Sequence, residues 1–140
     1  MLRDLKLRSI KEMKMYNKYK NKKCTCRSGH VHDSRKEACR CNELNLMLRA
    51  KCITDLRYQV KYILIPSQYE ESDEYYTKGA KKGQKKPGKL IEKECSYYAD
   101  FVYNEGGKTI DEDTKGMRTE VFKIKKKLML KEYGIRVQEI

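Results

Sequence analysis

"CSYYADFVYNEGGKTIDEDTKG", residues 95–116, is the stretch on which the reading of this chain turns. Its first ten residues are aromatic and β-branched, EGG supplies a turn, and KTIDEDTKG returns, so it predicts a β-hairpin. Alternation distributes the acids: Asp111, Asp113 and Lys115 share one face of the returning strand, and Glu112 takes the other. On the outgoing strand Tyr98, Asp100 and Val102 share a face. Asp100 interrupts an otherwise apolar or aromatic run, where aspartate is disfavoured unless a partner or a function retains it. Asp100 and Asp113 lie a few residues from the turn on either side, close enough to face one patch, with Asp111 at its rim. The plain alternative is a solvated acidic turn.

Outward from the hairpin, "MRTEVFKIKKKLMLKEY" (residues 117–133) predicts a helix with Met117, Val121, Ile124 and Leu128 on its apolar face. Gly134 caps it and IRVQEI closes the chain as a short strand. On the N-terminal side, "LRYQVKYILIP" (residues 56–66) is a β-rich run in which Tyr58, Val60, Tyr62 and Leu64 share a face, ended by Pro66. The segment 34–51 lacks Gly and Pro and predicts a first helix with the stripe Cys41, Leu44, Leu48 and Cys52. Extending that stripe back by four reaches Glu37, which is either the capping-box partner of Ser34 or a carboxylate aimed inward. Before the helix, KKCTCRSGHVHDS reads as a small hairpin turning at Arg27-Ser28-Gly29. The expected fold is α/β (α+β), an α-β-β-β-α-β core whose mixed central sheet is flanked by helices.

At 140 residues the chain suits one compact domain. Residues 1–22 form a basic N-terminal arm carrying Tyr16 and Tyr19, and 23–140 form the domain. A lysine-rich excursion at about 67–94 is longer than an ordinary connection, which favours a function for it. Lys and Arg outnumber Asp and Glu by 33 to 20, a net charge of +13, and such an excess favours polyanionic partners, nucleic acid first. Phosphate contact is expected from Lys81, Lys82, Lys85 and Lys86 in the excursion and from Lys123 and Lys127, which share a face of the last helix. No run reaches the roughly 20 apolar residues that a bilayer span needs, and the basic N-terminus lacks a signal-peptide core, so no membrane partner and an intracellular location are expected.

The six cysteines, Cys24, Cys26, Cys39, Cys41, Cys52 and Cys95, are then expected as reduced thiols. His30 and His32 stand nearby, but C-x-C is not the paired-knuckle spacing of zinc sites. On a helix Cys39 and Cys41 point about 200° apart. No structural zinc is expected.

Two acids converging in a partly buried place repel each other and raise their pKa values unless a cation offsets the charge. Mg²⁺, or Mn²⁺, is the expected cation, and with an inward Glu37 the set becomes Glu37, Asp100, Asp113 and Lys115. Such a metal would polarise a phosphate and acidify a bound water while the ammonium steadies the transition state.

This order, Glu on a first helix, Asp on a strand and D-x-K (Asp113-Thr114-Lys115) on the next, resembles the PD-(D/E)XK nuclease superfamily. The segments DSRKEACR, YYADF and DEDTKG…TEVFKIKKKL more specifically resemble a family of small phage-encoded, Holliday-junction-resolvase-like proteins, over roughly residues 16–140. Ala99 stands where the superfamily motif has its proline. The resemblance implies a restriction-endonuclease-like core, with Glu37, Asp100 and Asp113 and the Thr114 carbonyl as metal ligands and Lys115 as catalytic lysine. Glu112 is the reserve acid if a bulge flips the strand. The activity implied is a metal-dependent DNA endonuclease, structure-selective on branched DNA and acting as a homodimer in the cytoplasm, the host's if the chain is phage-encoded. The alternatives are a nuclease of linear DNA and a non-catalytic nucleic-acid-binding protein.

Overall fold

The computed structural model describes residues 22–140. The arm at 1–22, with Tyr16 and Tyr19, lies outside the described residues except for its last one. A small hairpin, β1 (Cys24–Thr25) and β2 (Val31–His32), precedes α1 (Arg35–Arg49). Then follow β3 (Thr54–Ile65), β4 (Gln68–Tyr69), β5 (Leu90–Glu92), β6 (Cys95–Glu105), β7 (Lys108–Asp113), α2 (Glu120–Tyr133) and β8 (Gln138–Glu139). The central sheet has the order β3-β6-β7-β8, antiparallel except for the parallel β7–β8 pair. It is the mixed four-stranded sheet with two helices that an α+β chain requires.

Local chemistry explains the elements. The β6–β7 turn is Gly106-Gly107, both at positive φ, which a two-residue hairpin loop needs and glycine supplies without steric cost. Ser34 caps α1 through its hydroxyl, which accepts from Glu37 N at 3.2 Å, and Thr119 does the same for α2 from Phe122 N. Gly134 ends α2 in the left-handed conformation, its N–H bonded to Leu130 O.

Two cores hold the sheet. One sets Cys26, Ala38, Cys41 and Leu44 against Ile53, Phe101 and Tyr103. The other sets Phe122, Met129 and Val137 against Leu64, Tyr97, Ala99 and Val102. Each fully buried large apolar side chain contributes roughly 1.5–3 kcal/mol. β6 serves both cores, which is why its apolar run is nearly continuous.

The predicted strand faces do not run through. Leu56 and Tyr58 pack with the α1 core, whereas Val60 and Tyr62 pack with the α2 core. β6 changes sides at the same level: Ala99 joins the α2 core and Phe101 the α1 core, while Val102 lies in the α2 core and Tyr98 is solvent-exposed. The register is continuous across this level, pairing Tyr58 with Phe101 and Val60 with Ala99. Between them sits Gln59 at φ +48, left-handed backbone in the middle of a strand. That conformation interrupts the pleat and accounts for the exchange of faces.

α2 also buries a different face from the one its pattern suggested. Of the expected stripe Met117, Val121 and Ile124 are exposed and Leu128 packs half-buried on the α2 core; Phe122 and Met129, seven positions apart, are buried. Lys125 and Lys126 flank them half-buried, with their ammonium groups bonded to Ser96 O and Glu139. Lysine stems cover apolar surface while their heads find oxygen, so a face rich in lysine still packs. The α1 stripe stops early, with Cys41 and Leu44 buried and Leu48 and Cys52 exposed.

The excursion at 67–94 is a built hairpin. β4 pairs with β5, Tyr75 bridges Lys85, and Tyr76 N, Gly83 N and Lys86 N bond across it. Among the described residues no helix is long and apolar enough to cross a membrane.

Candidate functional site

β7 sends three consecutive buried acids to two sides. Asp111 and Asp113 face the α2 side: Tyr62 donates to Asp111, and Tyr97 donates to Asp113 Oδ2 at 2.7 Å. Asp111 is thus buried within the structure, not at the rim of the patch. Glu112 faces α1, held by Arg40 Nε at 2.9 Å and Nη2 at 2.7 Å, and by the Tyr103 hydroxyl. The reserve acid is therefore committed to an internal ion pair on the other side of the sheet.

Asp113 is fully buried, and its Oδ1 receives no well-directed hydrogen bond but faces Lys115 Nζ at 2.8 Å. Lys115 also stands 5.0 Å above the Phe122 ring. The turn between them is fixed at Asp113 O, which accepts from Lys115 N and Ile140 N. Continuing the register that pairs Phe101 with Glu112 brings Asp100 opposite Asp113. Asp100 Oδ2 accepts from both the N–H and the hydroxyl of Thr114 at 2.8 Å, and Oδ1 accepts from Gln59 Nε2 at 3.1 Å. The left-handed Gln59 thus sits against the aspartate that interrupts β6, and strained backbone of this kind persists where surrounding contacts over-determine it.

Glu37 bonds back to its own helix end and also borders a cleft. Its carboxylate takes the Ser34 hydroxyl at 2.8 Å and Asp33 N at 3.3 Å, a variant of the capping box that reaches the residue before the cap. It also lines a cleft of about 430 Å³ with Thr114, Lys115, Lys36 and Lys125, between the start of α1 and the start of α2. Burial raises the Glu37 carboxyl above its ordinary pKa, against the Ser34 hydrogen bond, and the Asp100 charge adds to the rise. Burial raises Asp113 as well, against Lys115 and Tyr97, with Asp100 again pushing upward. Asp100 thus contacts Thr114, and Asp113 contacts Lys115; of this set Glu37, Thr114 and Lys115 line the cleft, while Asp100 and Asp113 do not, and Glu37 lies in the field of Asp100.

Two further lysines border the cleft, neither of them among the expected site residues. Lys36 Nζ bonds to the carbonyls of Lys115 and Ile140, and Lys125 Nζ to Ser96 O at 2.7 Å. Lys36 is the residue before Glu37 and carries its charge back over the cleft from the first turn of α1. The lysines expected at phosphate do not line this cleft. Lys85 and Lys86 pair with Asp73 and Glu74, Lys81 and Lys86 flank the Tyr76 ring at 5.8 and 5.9 Å, and Lys123 pairs with Glu120. Lys81, Lys82, Lys85, Lys86, Lys123 and Lys127 are all exposed or half-exposed.

The expected cofactor needs correction. Among the described residues the metal-compatible group is not an oxygen cage for Mg²⁺ or Mn²⁺ but Cys26, His30, His32 and Cys41, whose ligand atoms lie within 4.8 Å of one another. Sulphur and imidazole nitrogen select zinc over the hard cations that carboxylates suit. The acids meanwhile are occupied internally, Asp113 by Lys115 and Tyr97, Asp100 by Thr114, and Glu37 by its helix end. The C-x-C spacing misleads about zinc because the two thiols of each motif do not act as a unit. In the fold each contributes one thiol: Cys41 is buried and Cys39 exposed, Cys26 is buried and Cys24 only half so.

No curated protein and no solved structure matches the chain. A family profile matches residues 16–138, nearly the whole chain, and by that match the protein belongs to DUF1064, a family described as being of unknown function.

Proposed function

We propose that the protein is a DNA endonuclease of the PD-(D/E)XK type that hydrolyses phosphodiester bonds, preferring branched DNA such as four-way junctions and acting in the cytoplasm. The observation that carries the reading is the contact of buried Asp113 with Lys115 beside Asp100, at a cleft walled by Glu37 and three lysines. In this arrangement the Lys115 ammonium, screened by the Phe122 ring, offsets charge that builds on a phosphate oxygen during attack by water. A carboxyl held above its ordinary pKa, as Glu37 and Asp113 are, exchanges protons closer to neutral pH than a solvated one does. Lys36 and Lys125 extend the positive wall along which a DNA backbone would lie. A net charge of +13 supports affinity for a polyanion. A homodimer would place two such clefts on opposite strands of a junction.

The internal pairing of all the acids favours a second reading, a DNA-binding protein without catalysis. One experiment separates the two. Purified full-length protein is incubated, over a range of divalent salts, with a synthetic four-way junction and with a linear duplex of the same sequences. The expected result is faster cleavage of the junction, reduced on the order of 10²–10⁴-fold in Asp113→Asn and Lys115→Ala while DNA binding is kept. Binding without cleavage of either DNA by the wild type would leave the non-catalytic reading. Equal cleavage rates on the two DNAs would assign the protein to linear substrates.

A further inference from the structure

We infer that Cys26, His30, His32 and Cys41 form a tetrahedral zinc site that pins the β1–β2 hairpin to the first helix. The edges of the cluster carry the inference. Cys41 Sγ lies 3.4 Å from Cys26 Sγ, and His30 Nδ1 lies 3.6 Å from Cys26 Sγ and 3.7 Å from Cys41 Sγ. A tetrahedron with Zn–S of about 2.3 Å and Zn–N of about 2.0–2.1 Å has S···S edges of about 3.8 Å and S···N edges of about 3.6 Å. Three corners are therefore spaced as zinc would space them.

The fourth corner comes from an independent observation. His32 is 93% buried by its 7% relative exposure, and its Nε2 has no hydrogen-bond partner. A buried imidazole nitrogen without a partner costs free energy, and coordination would satisfy it. A disulfide does not explain the pair, because its bond would be about 2.05 Å, far shorter than the observed separation. Backbone geometry assists: Cys26 N bonds to His30 O and Gly29 N to Cys26 O, and Gly29 at φ +86 makes the turn that brings the hairpin's three donors together.

The arrangement is closed, with four protein ligands and no open position, which is the signature of a structural ion. Binding converts both thiols to thiolates and releases their protons to solvent. What the ion would hold is specific. Cys41 lies on α1, and His32 is two residues before Ser34, so the clamp fixes the point where α1 starts and hence where Lys36 and Glu37 meet the cleft. This inference is independent of the nuclease reading, because its readout is metal content.

The test is zinc stoichiometry of full-length protein purified under reducing conditions without chelator, followed by Co²⁺ titration of the metal-stripped protein. About one zinc per chain is expected, together with the thiolate charge-transfer band and the intense visible bands of a tetrahedral S₂N₂ cobalt site. Cys41→Ser and Cys26→Ser should lose both, whereas Cys24→Ser and Cys39→Ser should keep them. Should the cysteine variants fail to fold, His30→Ala, at an exposed position, should remain folded by circular dichroism and bind Co²⁺ more weakly than the wild type. Wild-type protein with neither zinc nor cobalt bands would overturn the site. So would a metal lost in Cys39→Ser but kept in Cys41→Ser, or a Cys26–Cys41 disulfide in the reduced preparation.

Discussion

Glu112 and Asp113 are adjacent on β7 and end on opposite sides of the sheet, among different kinds of partner. On the α1 side Glu112 meets a guanidinium in a two-pronged pair and the hydroxyl of Tyr103, whose core also holds Cys26 and Cys41. On the α2 side Asp113 meets one ammonium at the wall of an open cleft, with a second carboxylate, Asp100, close enough to raise its pKa. The first side holds its buried carboxylate in fixed geometry and suits stability. The second leaves Asp113 with a point-charge partner that can move aside, and suits chemistry. A single strand can separate the two roles because its side chains alternate across the sheet.

The sharpest way to break this contrast is Arg40→Ala. It strands Glu112, whose side chain is almost wholly buried, without its charge partner, and a loss of about 3–5 kcal/mol is expected in urea unfolding. A loss below about 1 kcal/mol would show that the pair is not structural, and the contrast would fail on that side.

A smaller effect is expected from Asp113→Asn, and its dependence on pH carries the information. Asp113 is raised from the ordinary 3.8, chiefly by burial, so the folded state disfavours its charged form. Its contribution to stability is present below 3.8 and is lost as pH rises through its folded-state pKa. The asparagine variant has no charge to disfavour. Its stability relative to the wild type should therefore improve as pH rises from about 3.8 towards neutrality. A relative stability that instead worsens over that range would mean that Lys115 outweighs burial, making the pair a stabilising one like that of Glu112.

The smallest effect sharpens the comparison at the helix ends. α1 terminates with Lys51 at φ +59, where Cys52 N bonds to Met47 O and Lys51 N to Leu48 O; α2 ends with Gly134 at φ +69. A side chain in left-handed backbone is strained and glycine is not, so Lys51→Gly should gain about 1 kcal/mol, read from the thermal or urea midpoint. An unchanged or lower midpoint would show that the Lys51 side chain compensates the strain.

Much of this architecture was legible beforehand because it rests on local chemistry. The Gly106-Gly107 turn, the Ser34–Glu37 cap, the Gly134 terminus and the alternation of Asp111, Glu112 and Asp113 each depend on residues within a few positions of one another. The buried face of α2 was not legible, because Lys125 and Lys126 pack by their stems and read as solvent-facing in any apolar pattern. Nor was the change of faces in β3 and β6, which turns on one residue, Gln59, adopting a conformation its identity does not favour.

The sequence by itself determined the order of the core elements, the Ser34 and Gly134 caps, the β6–β7 turn and the alternation of charge along β7, because those are short-range properties of the backbone and of side-chain direction. Only the tertiary structure decided which thiol of each C-x-C enters the cluster, that Glu112 belongs to Arg40, and that Lys36 overhangs the cleft. Those pairings join residues as far apart as Arg40 and Glu112. They are settled by how α1 lies on the sheet, which no local pattern encodes.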